Sequence, residues 1–273
     1  MFLSRYRRVV DSLAPRLGRS YRLLRDSTNR RRSIETAYGF TLAGDPSMTE
    51  EQWEAVEIEA FLDLIASHDA IFDIGANVGF YSCLAASRGK QTLAFEPSPR
   101  NLRFLYRNLC ENRFFGVEVF PLGLARQPGL GYIFGYGGIA SFVPGWAQAR
   151  AEQSAPAPLT TLDAVAAHRF LGKRLLIKVD VEGFELEVLA GAQVTLDLNP
   201  RPTWLVEILF RDDVIPGGVS HTFSETFNVF WERGYRCRKL DNALTPVEQH
   251  DVGQWVSQGF VEGETHNFLF EAD

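Results

Sequence analysis

Short apolar runs alternate with longer segments of helical periodicity along the chain. The runs at 70–74, 91–95 and 175–179 have the length of buried strands, and apolar side chains at helical spacing follow each of them. Strands that lack polar alternation are typical of a parallel sheet covered by helices, so the pattern predicts an α/β fold. Further strands are expected at 116–120, 203–210, 235–240 and 266–270.

Three other segments carry weaker patterns. From Thr49 onward, apolar residues at helical spacing predict an amphipathic helix that has Thr49 as its N-cap and lies against the sheet. Residues 129–146 are rich in glycine and aromatic side chains without a helical period, which predicts a hairpin or mobile flap. Residues 147–158 lack large apolar side chains and end in two prolines, so an exposed connection is expected there, followed by a helix that is capped near Thr161 and runs to Phe170.

Composition and cysteine usage limit the class of protein. With 273 residues, 45% of them hydrophobic and 23% charged, the chain can bury a complete α/β core. We expect a catalytic domain at 49–273, preceded by an extension and lead-in at 1–48. No run of eighteen apolar residues is present, so no membrane span is predicted. Three scattered cysteines argue against a disulfide framework or a cysteine-rich zinc site and favour a reducing, cytoplasmic setting.

Charge is distributed unevenly along the chain. Residues 1–32 hold ten arginines against Asp11 and Asp26, a charge of +8 that leaves −14 for the remainder of a chain whose total is −6. Apolar residues in this segment fall on one helical stripe, which predicts a basic helix in contact with an anionic membrane surface, here the inner surface. Packing on the acidic domain and a frayed terminus are the alternatives. No nucleic-acid partner is expected, because the acidic remainder shows no basic patch with interleaved aromatics.

The first candidate for chemistry lies at the end of the first buried strand. Asp73, Gly75, Asn77 and Gly79 form an acidic, glycine-containing turn that leads directly into a helix. Glycine allows unusual backbone angles and close approach there, and the free N–H groups at a helix start favour an accepting ligand group. A dinucleotide fingerprint would need glycine at positions 75, 77 and 80, and two of these three positions fail. An ordinary strand-to-helix turn is the alternative.

A second candidate lies at the end of the next strand. Glu96 follows Asp73 by twenty-three residues, close to the spacing at which a second strand presents an acid to ribose hydroxyls. A carboxylate can accept both hydroxyl protons, so Glu96 is the predicted ribose ligand. The alternative is a solvated acid at the strand end.

A third candidate is the run of charges around Lys178. Lys178 interrupts a strand that should be buried on both faces, and strand alternation places Asp180 on the same face as Lys178. Glu182 opens the following turn, and Glu207 comes at the end of the neighbouring predicted strand. A buried ammonium is costly unless it is paired or functional. The alternative is a buried Lys–acid pair that only fixes the order of the strands.

Four motifs together resemble the FkbM family of S-adenosylmethionine (SAM) methyltransferases. They are Asp-Ile-Gly-Ala-Asn-Val-Gly (73–79), Phe-Glu-Pro-Ser-Pro (95–99), Thr-Leu-Asp (161–163) and Ile-Lys-Val-Asp-Val-Glu-Gly-Phe-Glu (177–185). The resemblance implies a Rossmann-like class I methyltransferase fold, with a seven-stranded, mostly parallel sheet of order 3-2-1-4-5-7-6, an antiparallel last strand and helices on both faces. It also implies methyl transfer from SAM, usually to a hydroxyl oxygen of a sugar, glycan or natural product, with S-adenosylhomocysteine as the product.

Pattern and resemblance together give two sets of site residues. The expected cofactor contacts are Asp73, Gly75, Asn77, Gly79, Phe80, Tyr81, Glu96, Pro97, Asn101, Gly123, Ser141 and Asp180. The expected catalytic residues are Lys178, Asp180, Glu182 and Glu207. Any of the three acids could take the proton of an acceptor hydroxyl, and Lys178 could do so if burial lowered its pKa.

Several alternatives stay open at this point. The three acids could instead bind a divalent metal, although no metal is the favoured expectation. His221 is expected to be a solvated loop residue rather than an acceptor contact. Two other function classes remain: a nicotinamide oxidoreductase, which the glycine spacing disfavours, and a non-catalytic SAM-binding or scaffold protein.

Overall fold

The structure is a computed structural model, and the residues it describes are 33–44, 48, 53–135, 137–149, 154–212, 214–261 and 265–272. They fall into two compact units divided between Trp53 and Glu54. The predicted basic helix within 1–32 and the predicted N-cap at Thr49 lie outside the described residues. Within the described part of the chain, no helix is long and apolar enough to cross a membrane.

The first unit contains a short antiparallel hairpin. Strand β1 (Ile34–Glu35) pairs with strand β2 (Thr41–Leu42), so that Ile34 lies opposite Leu42. The Thr36 hydroxyl donates to the Phe40 carbonyl at 2.7 Å, and this bond closes the turn between the strands.

The second unit alternates strands and helices in the way that the apolar pattern predicts. In chain order its elements are α1 (Ala55–Ser67), β3 (Ala70–Ile74), α2 (Phe80–Ser87), β4 (Gln91–Phe95), α3 (Pro99–Glu111), β5 (Glu118–Phe120), β6 (Gly123–Leu124), β7 (Gly129–Ile133), β8 (Ala155–Thr160), α4 (Leu162–Ala166), β9 (Leu175–Val179), α5 (Glu185–Ala190), α6 (Gln193–Leu196), β10 (Thr203–Glu207), α7 (Phe223–Trp231), β11 (Arg236–Lys239), β12 (Pro246–Val247), α8 (Gln249–Gln258) and β13 (Asn267–Glu271).

The main sheet has the order β12-β11-β13-β10-β9-β3-β4-β5. Strands β5, β4, β3, β9 and β10 run parallel, and β13 is antiparallel to both β10 and β11. The predicted order 3-2-1-4-5-7-6 is therefore confirmed. The predicted count of seven strands is wrong, because β12 adds an eighth strand at the edge beside β11.

The extra edge strand depends on a tight turn. The Asp241 carboxylate accepts the backbone N–H groups of Ala243 and Thr245, each at 3.0 Å, and the chain then reverses into β12. A strand of two residues has too few positions to show an apolar alternation, so the sequence pattern gave no indication of it.

The two faces of the sheet have different characters. One face belongs to a large apolar core that includes Phe72, Ile177 and Trp204, packed against residues of α4 to α8 such as Phe230. The other face carries Asp73 and Lys178, which are register partners on the adjacent strands β3 and β9. The sheet thus separates a predominantly apolar layer from a layer that holds the buried pair Asp73 and Lys178.

A second, three-stranded sheet of order β6-β8-β7 lies in the segment after β5. The predicted hairpin begins with β7, and the isolated bridge between Phe134 and Ser141 continues it. The exposed connection predicted for 147–158 is wrong at its end, where β8 begins at Ala155. Pro156 and Pro158 occupy alternate positions of this strand, so both missing N–H donors lie on the same edge of it, and pairing with β7 is kept.

The helix after β8 begins as the capped pattern predicts. The Thr161 hydroxyl accepts the backbone N–H of Ala164 at 3.1 Å, which confirms Thr161 as the N-cap of α4. The regular helix ends at Ala166, four residues earlier than predicted.

Candidate active site

A cleft opens at the carboxyl ends of β3, β4 and β9, the edge at which parallel α/β sheets bind ligands. It holds about 620 Å³ of space, part of it open to solvent. The predicted site residues that line it are Gly75, Asn77, Glu96, Pro97, Asn101, Gly123, Ser141, Asp180 and Glu182. Three of the four sequence motifs, those at 73–79, 95–99 and 177–185, therefore meet at one cavity.

Gly75 connects two of these motifs. Its N–H donates to the Phe95 carbonyl at 2.9 Å, and the Asp180 N–H donates to the Ile74 carbonyl at 3.0 Å. Gly75 has a φ of +86°, and a Cβ added to it would lie 1.8 Å from the Asp180 carbonyl oxygen. Only glycine allows the turn after β3 to pack this closely against the turn after β9.

Gly79 has a packing role. A Cβ at this position would lie 2.4 Å from a methyl carbon of Leu105, so the absent side chain lets α2 approach α3. Among the predicted site residues, those that do not line the cleft are Asp73, Gly79, Phe80, Tyr81, Lys178 and Glu207. Their direct contact with a cofactor or acceptor stays a prediction.

Glu96 is a buried carboxyl at the end of β4 and has two backbone donors. Its Oε2 accepts the N–H of Asn77 at 2.8 Å, and its Oε1 accepts the N–H of Ser98 at 2.7 Å. Burial raises the pKa of Glu96 to about 7, although both N–H groups favour the charged form. The two bonds fix the carboxyl between the glycine turn and α3, and the Asn101 side chain adds a third hydrogen bond. A carboxylate has about four acceptor positions, so one remains for a ligand.

Asn77 carries an unsatisfied group at the cleft. Its backbone is left-handed, with a φ of 52°, and its side-chain Oδ1 is buried without a hydrogen-bond partner among the described residues. A buried amide oxygen that lacks a donor costs free energy, so a ligand that donates there gains by binding. The glycine turn thus contributes a hydrogen-bond acceptor, the Asn77 Oδ1, to the cavity.

The far wall of the cleft comes from the segment that follows β6. The Asn101 side-chain N–H donates to the Gly137 carbonyl at 3.1 Å, which ties this segment to α3. A Cβ on Gly123 would lie 2.4 Å from the Phe142 ring, so the ring packs directly on the backbone. Ser141 exchanges two backbone hydrogen bonds with Phe134. In the described residues the predicted flap is held by specific bonds at several points.

Lys178 lies just behind the cleft and is almost completely buried. Its Nζ donates to Asp180 at 2.9 Å and lies 4.5 Å from the centre of the Tyr81 ring. Burial alone would lower the pKa of Lys178, but the carboxylates of Asp180, Glu54 and Asp73 outweigh it and raise that pKa. The condition under which Lys178 would act as a base is therefore not met, and it remains an ammonium.

Asp180 and Glu207 form a coupled pair of carboxyls. Burial opposes the charge on Asp180, but Lys178 and a hydrogen bond from Glu207 lower its pKa. Burial and the negative charge of Asp180 raise the pKa of Glu207 well above its usual range. At neutral pH Asp180 is therefore the carboxylate, and Glu207 is the protonated partner that donates to it.

Glu182 is the second acid that reaches the cleft from the turn after β9. Burial, followed by repulsion from Asp180 and Glu185, raises the pKa of Glu182 well above its usual range. The raised pKa means that Glu182 is ionised only in part, but its ionised form is a stronger base than an ordinary carboxylate, so that form is better suited than Asp180 to take a proton.

Glu54 and Trp146 contact predicted site residues, and the sequence predicted neither contact. The Tyr81 hydroxyl donates to Glu54 at 2.6 Å, and Glu54 precedes α1 with a left-handed φ of 44°. The Trp146 indole N–H donates to Glu182 at 3.3 Å. Both contacts join residues more than twenty-five positions apart on different elements, so neither apolar spacing nor a local motif could indicate them.

Two of the remaining alternatives can be placed in the structure. In the described ranges, no group of three His, Cys, Asp or Glu side chains is arranged to hold a metal ion. His221 is exposed and does not line the cleft, as expected for a solvated loop residue.

Comparison with known proteins identifies the family of this chain. The model of the methyltransferase FkbM domain matches residues 73–237, more than half of the chain. Among curated proteins, the hexuronic acid methyltransferase AglP of Haloferax volcanii is 28% identical over 171 residues, which cover 58% of this chain and 67% of AglP.

Two solved structures match this chain over most of its length. Methyltransferase FkbM from Methylobacillus flagellatus KT is 14% identical, covers 84% of this chain and 56% of its own, and gives a TM-score of 0.45. WbdD in complex with the kinase inhibitor LY294002 is 11% identical, covers 90% of this chain and 47% of its own, and gives a TM-score of 0.50. The chain thus spans about half the length of these two proteins. At identities this low only the WbdD match, with its TM-score of 0.50, bears on the fold, and it bears on nothing else.

Proposed function

Because the chain belongs to the FkbM methyltransferase family, we propose that it is a SAM-dependent O-methyltransferase acting on a hydroxyl group of a sugar, glycan or natural product. The observation that carries the proposal is the meeting of Asn77, Glu96 and Glu182 around one cleft at the carboxyl edge of the sheet. The first two fit the cofactor, and the third fits the proton of the acceptor.

The cleft suits SAM in its hydrogen bonding and in its charge. Glu96 would accept the ribose hydroxyls, and the unpartnered Oδ1 of Asn77 would accept a further donor of the cofactor. The ionisable residues in the described lining are Glu96, Asp180 and Glu182, all acids, and Asp180 is held as a carboxylate, which favours a cationic ligand. When bound, SAM supplies a sulfonium methyl group for attack by an acceptor oxygen.

The acids of the β9 turn provide the chemistry that the chain itself must supply. Glu182 takes the proton of the acceptor hydroxyl, which raises the nucleophilicity of the oxygen. Asp180, held as a carboxylate by Lys178 and Glu207, keeps negative charge at the same end of the cleft. Orientation and proton removal are the main requirements, since no covalent enzyme intermediate is needed.

The acceptor class follows from the family and from one relative. AglP is by name a hexuronic acid methyltransferase, and this supports a sugar as the acceptor here. A non-catalytic SAM-binding protein is the competing class, and it would show cofactor binding without transfer.

The proposal is tested by incubating the chain with methyl-labelled SAM and a panel of sugars, uronic acids and glycans. We expect label in at least one hydroxyl acceptor, and a loss of about 100-fold or more in Glu182→Gln. Binding of SAM without transfer to any hydroxyl acceptor would favour the non-catalytic class. Equal transfer rates in wild type and Glu182→Gln would show that Glu182 is not the base that takes the acceptor proton.

A further inference from the structure

The Trp146 side chain is buried beside the acids of the β9 turn. It is 2% exposed, so its ring offers no face on which an acceptor sugar could stack. The indole N–H instead donates to the Glu182 Oε2 at 3.3 Å. The polar tip of Trp146 is therefore the part of the side chain that can influence the site.

The backbone of the β9 turn is shaped to receive this ring. Glu182 and Gly183 are both left-handed, with φ angles of 57° and 87°. A left-handed glutamate is uncommon, and it persists only where its surroundings determine it. A Cβ on Gly183 would lie 2.4 Å from the Trp146 ring, so the absence of a side chain there makes room for the indole. The left-handed backbone at Glu182 and the missing side chain at Gly183 together allow the Trp146 ring to pack where its N–H reaches Glu182.

We propose that Trp146 is a positioning residue for methyl transfer: its N–H fixes the Glu182 carboxylate in the orientation that receives the acceptor proton. This inference rests on the proposed function. In the step concerned, the hydroxyl proton passes from the acceptor oxygen to Glu182, which becomes a neutral carboxylic acid.

The charges around Glu182 explain why a donor is needed. The charged groups that act on Glu182 from the elements packed around it are acids, namely Asp180, Glu185 and Asp212. They repel a carboxylate, whereas the Trp146 N–H stabilises it. Trp146 thus favours the form of Glu182 that can accept a proton.

The test compares Trp146→Phe, Glu182→Gln and the double variant by urea unfolding of the full chain between pH 5 and pH 9. Phenylalanine keeps a ring but lacks the N–H, so the pKa of Glu182 should rise further. A higher folded-state pKa means that stability falls as pH increases, so the penalty of Trp146→Phe should grow with pH. We expect growth of about tenfold in the unfolding constant, and none in the Glu182→Gln background.

Trp204→Phe is the matched control, since Trp204 is fully buried in the large apolar core on one face of the main sheet, away from the cleft lining. Its penalty should be the same at each pH. In single-turnover transfer, Trp146→Phe should move the acidic limb of the pH–rate profile up by about one unit, which a purely structural tryptophan would not do. A pH-independent penalty, or an unmoved limb, overturns the positioning role. Failure of wild-type protein to bind SAM would instead overturn the proposed function.

Discussion

Lys178 shows at the residue scale how a buried charge is tolerated. It lies in a strand whose other residues are apolar, and Asp180, Asp73 and Glu54 surround its ammonium. Burying such a group without partners would be destabilising by several kcal/mol. The acids balance the charge, and in return Lys178 keeps Asp180 ionised at the cleft.

We expect Lys178→Met to remove this balance while leaving the cofactor contacts in place. Stability should fall by about 3–5 kcal/mol, because one partner of a buried pair is lost. SAM affinity should change by less than about twofold, and single-turnover transfer per folded molecule should drop by about 100-fold or more. Lys173→Met, at an exposed position, is the control for the loss of one lysine. An undiminished rate in the folded fraction would leave Lys178 with a structural role only.

The buried carboxyl of Glu96 predicts a pH dependence of stability in the ligand-free protein. Its folded pKa of about 7 lies above the ordinary value of 4.5, so the folded state holds the proton more tightly. Stability should therefore decrease as pH rises from about 4.5 to about 7. Glu96→Gln has no such proton, and its stability relative to wild type should improve by roughly 2–3 kcal/mol between pH 5 and pH 8.

Chemical unfolding of both proteins at the two pH values measures this difference. Glu185, whose pKa burial also raises to about 7, is present in both proteins and cancels. In Glu96→Gln the new amide N–H faces the backbone N–H groups of Asn77 and Ser98, which costs stability. This cost is the same at both pH values, so it cancels from the change in stability between them. A difference that stays the same at pH 5 and pH 8 would mean that Glu96 titrates normally in the folded chain.

The turns after β3 and β9 show at the element scale how two distant motifs depend on each other. Gly75 lets the first turn rest against the Asp180 carbonyl, and this contact sets the separation of the glycine turn from the acids of the second turn. The cleft is therefore a consequence of how the two strand ends pack, as well as of which residues they carry.

Gly75→Ala should disrupt this contact. The added Cβ would meet a backbone oxygen, which cannot move aside as a side chain can, so a loss of about 3 kcal/mol or more is expected together with loss of SAM binding. Gly89→Ala is a matched control, because Gly89 has a similar φ of +71° with nothing within 4 Å of the added Cβ. It should lose only about 1 kcal/mol from backbone strain. Equal losses in urea unfolding would show that the clash is relieved at no cost.

The sequence predicted those elements whose pattern is set by burial. Strands β3, β4 and β9 are buried almost throughout and were predicted correctly, as was the order of the parallel strands from the family resemblance. Strand β8 was not predicted, since its alternating prolines are typical of a connection and its pairing with β7 depends on tertiary context. Glu96 and Asp180 could be predicted as cleft residues because they follow the ends of strands. Glu54 and Trp146 contact Tyr81 and Glu182 across different elements, and no periodicity in the sequence indicates such contacts.

At the scale of the whole molecule, charge divides the chain into a basic first segment and an acidic remainder. Residues 1–32 carry +8, and the remaining residues carry −14. The candidate cleft belongs to the acidic part, and each residue of its described lining lies C-terminal to Trp53. Membrane binding by residues 1–32 and methyl transfer at the cleft are therefore two proposals that can be tested separately.

We propose that the basic segment binds anionic membrane surfaces. Deletion of residues 1–32 should leave SAM affinity unchanged and reduce binding to vesicles that contain anionic lipid, by about 1 kcal/mol for each arginine that contacts the surface. Vesicles of neutral lipid are the control, and sedimentation measures the bound fraction. If binding to anionic vesicles is the same with and without the segment, the membrane proposal is wrong.

SAM binding at the cleft is tested most directly by a calorimetric titration of SAM into the wild-type chain and into Glu96→Ala. Glu118→Ala, which removes an acid from the neighbouring strand β5 outside the cleft lining, serves as the matched control. We predict one SAM site per chain, unchanged affinity in Glu118→Ala, and affinity weaker by about 10- to 150-fold in Glu96→Ala, which corresponds to about 1.5–3 kcal/mol for a charged hydrogen-bond acceptor. Equal SAM affinity in folded wild-type and Glu96→Ala protein, or binding of a nicotinamide dinucleotide without binding of SAM, would contradict the account.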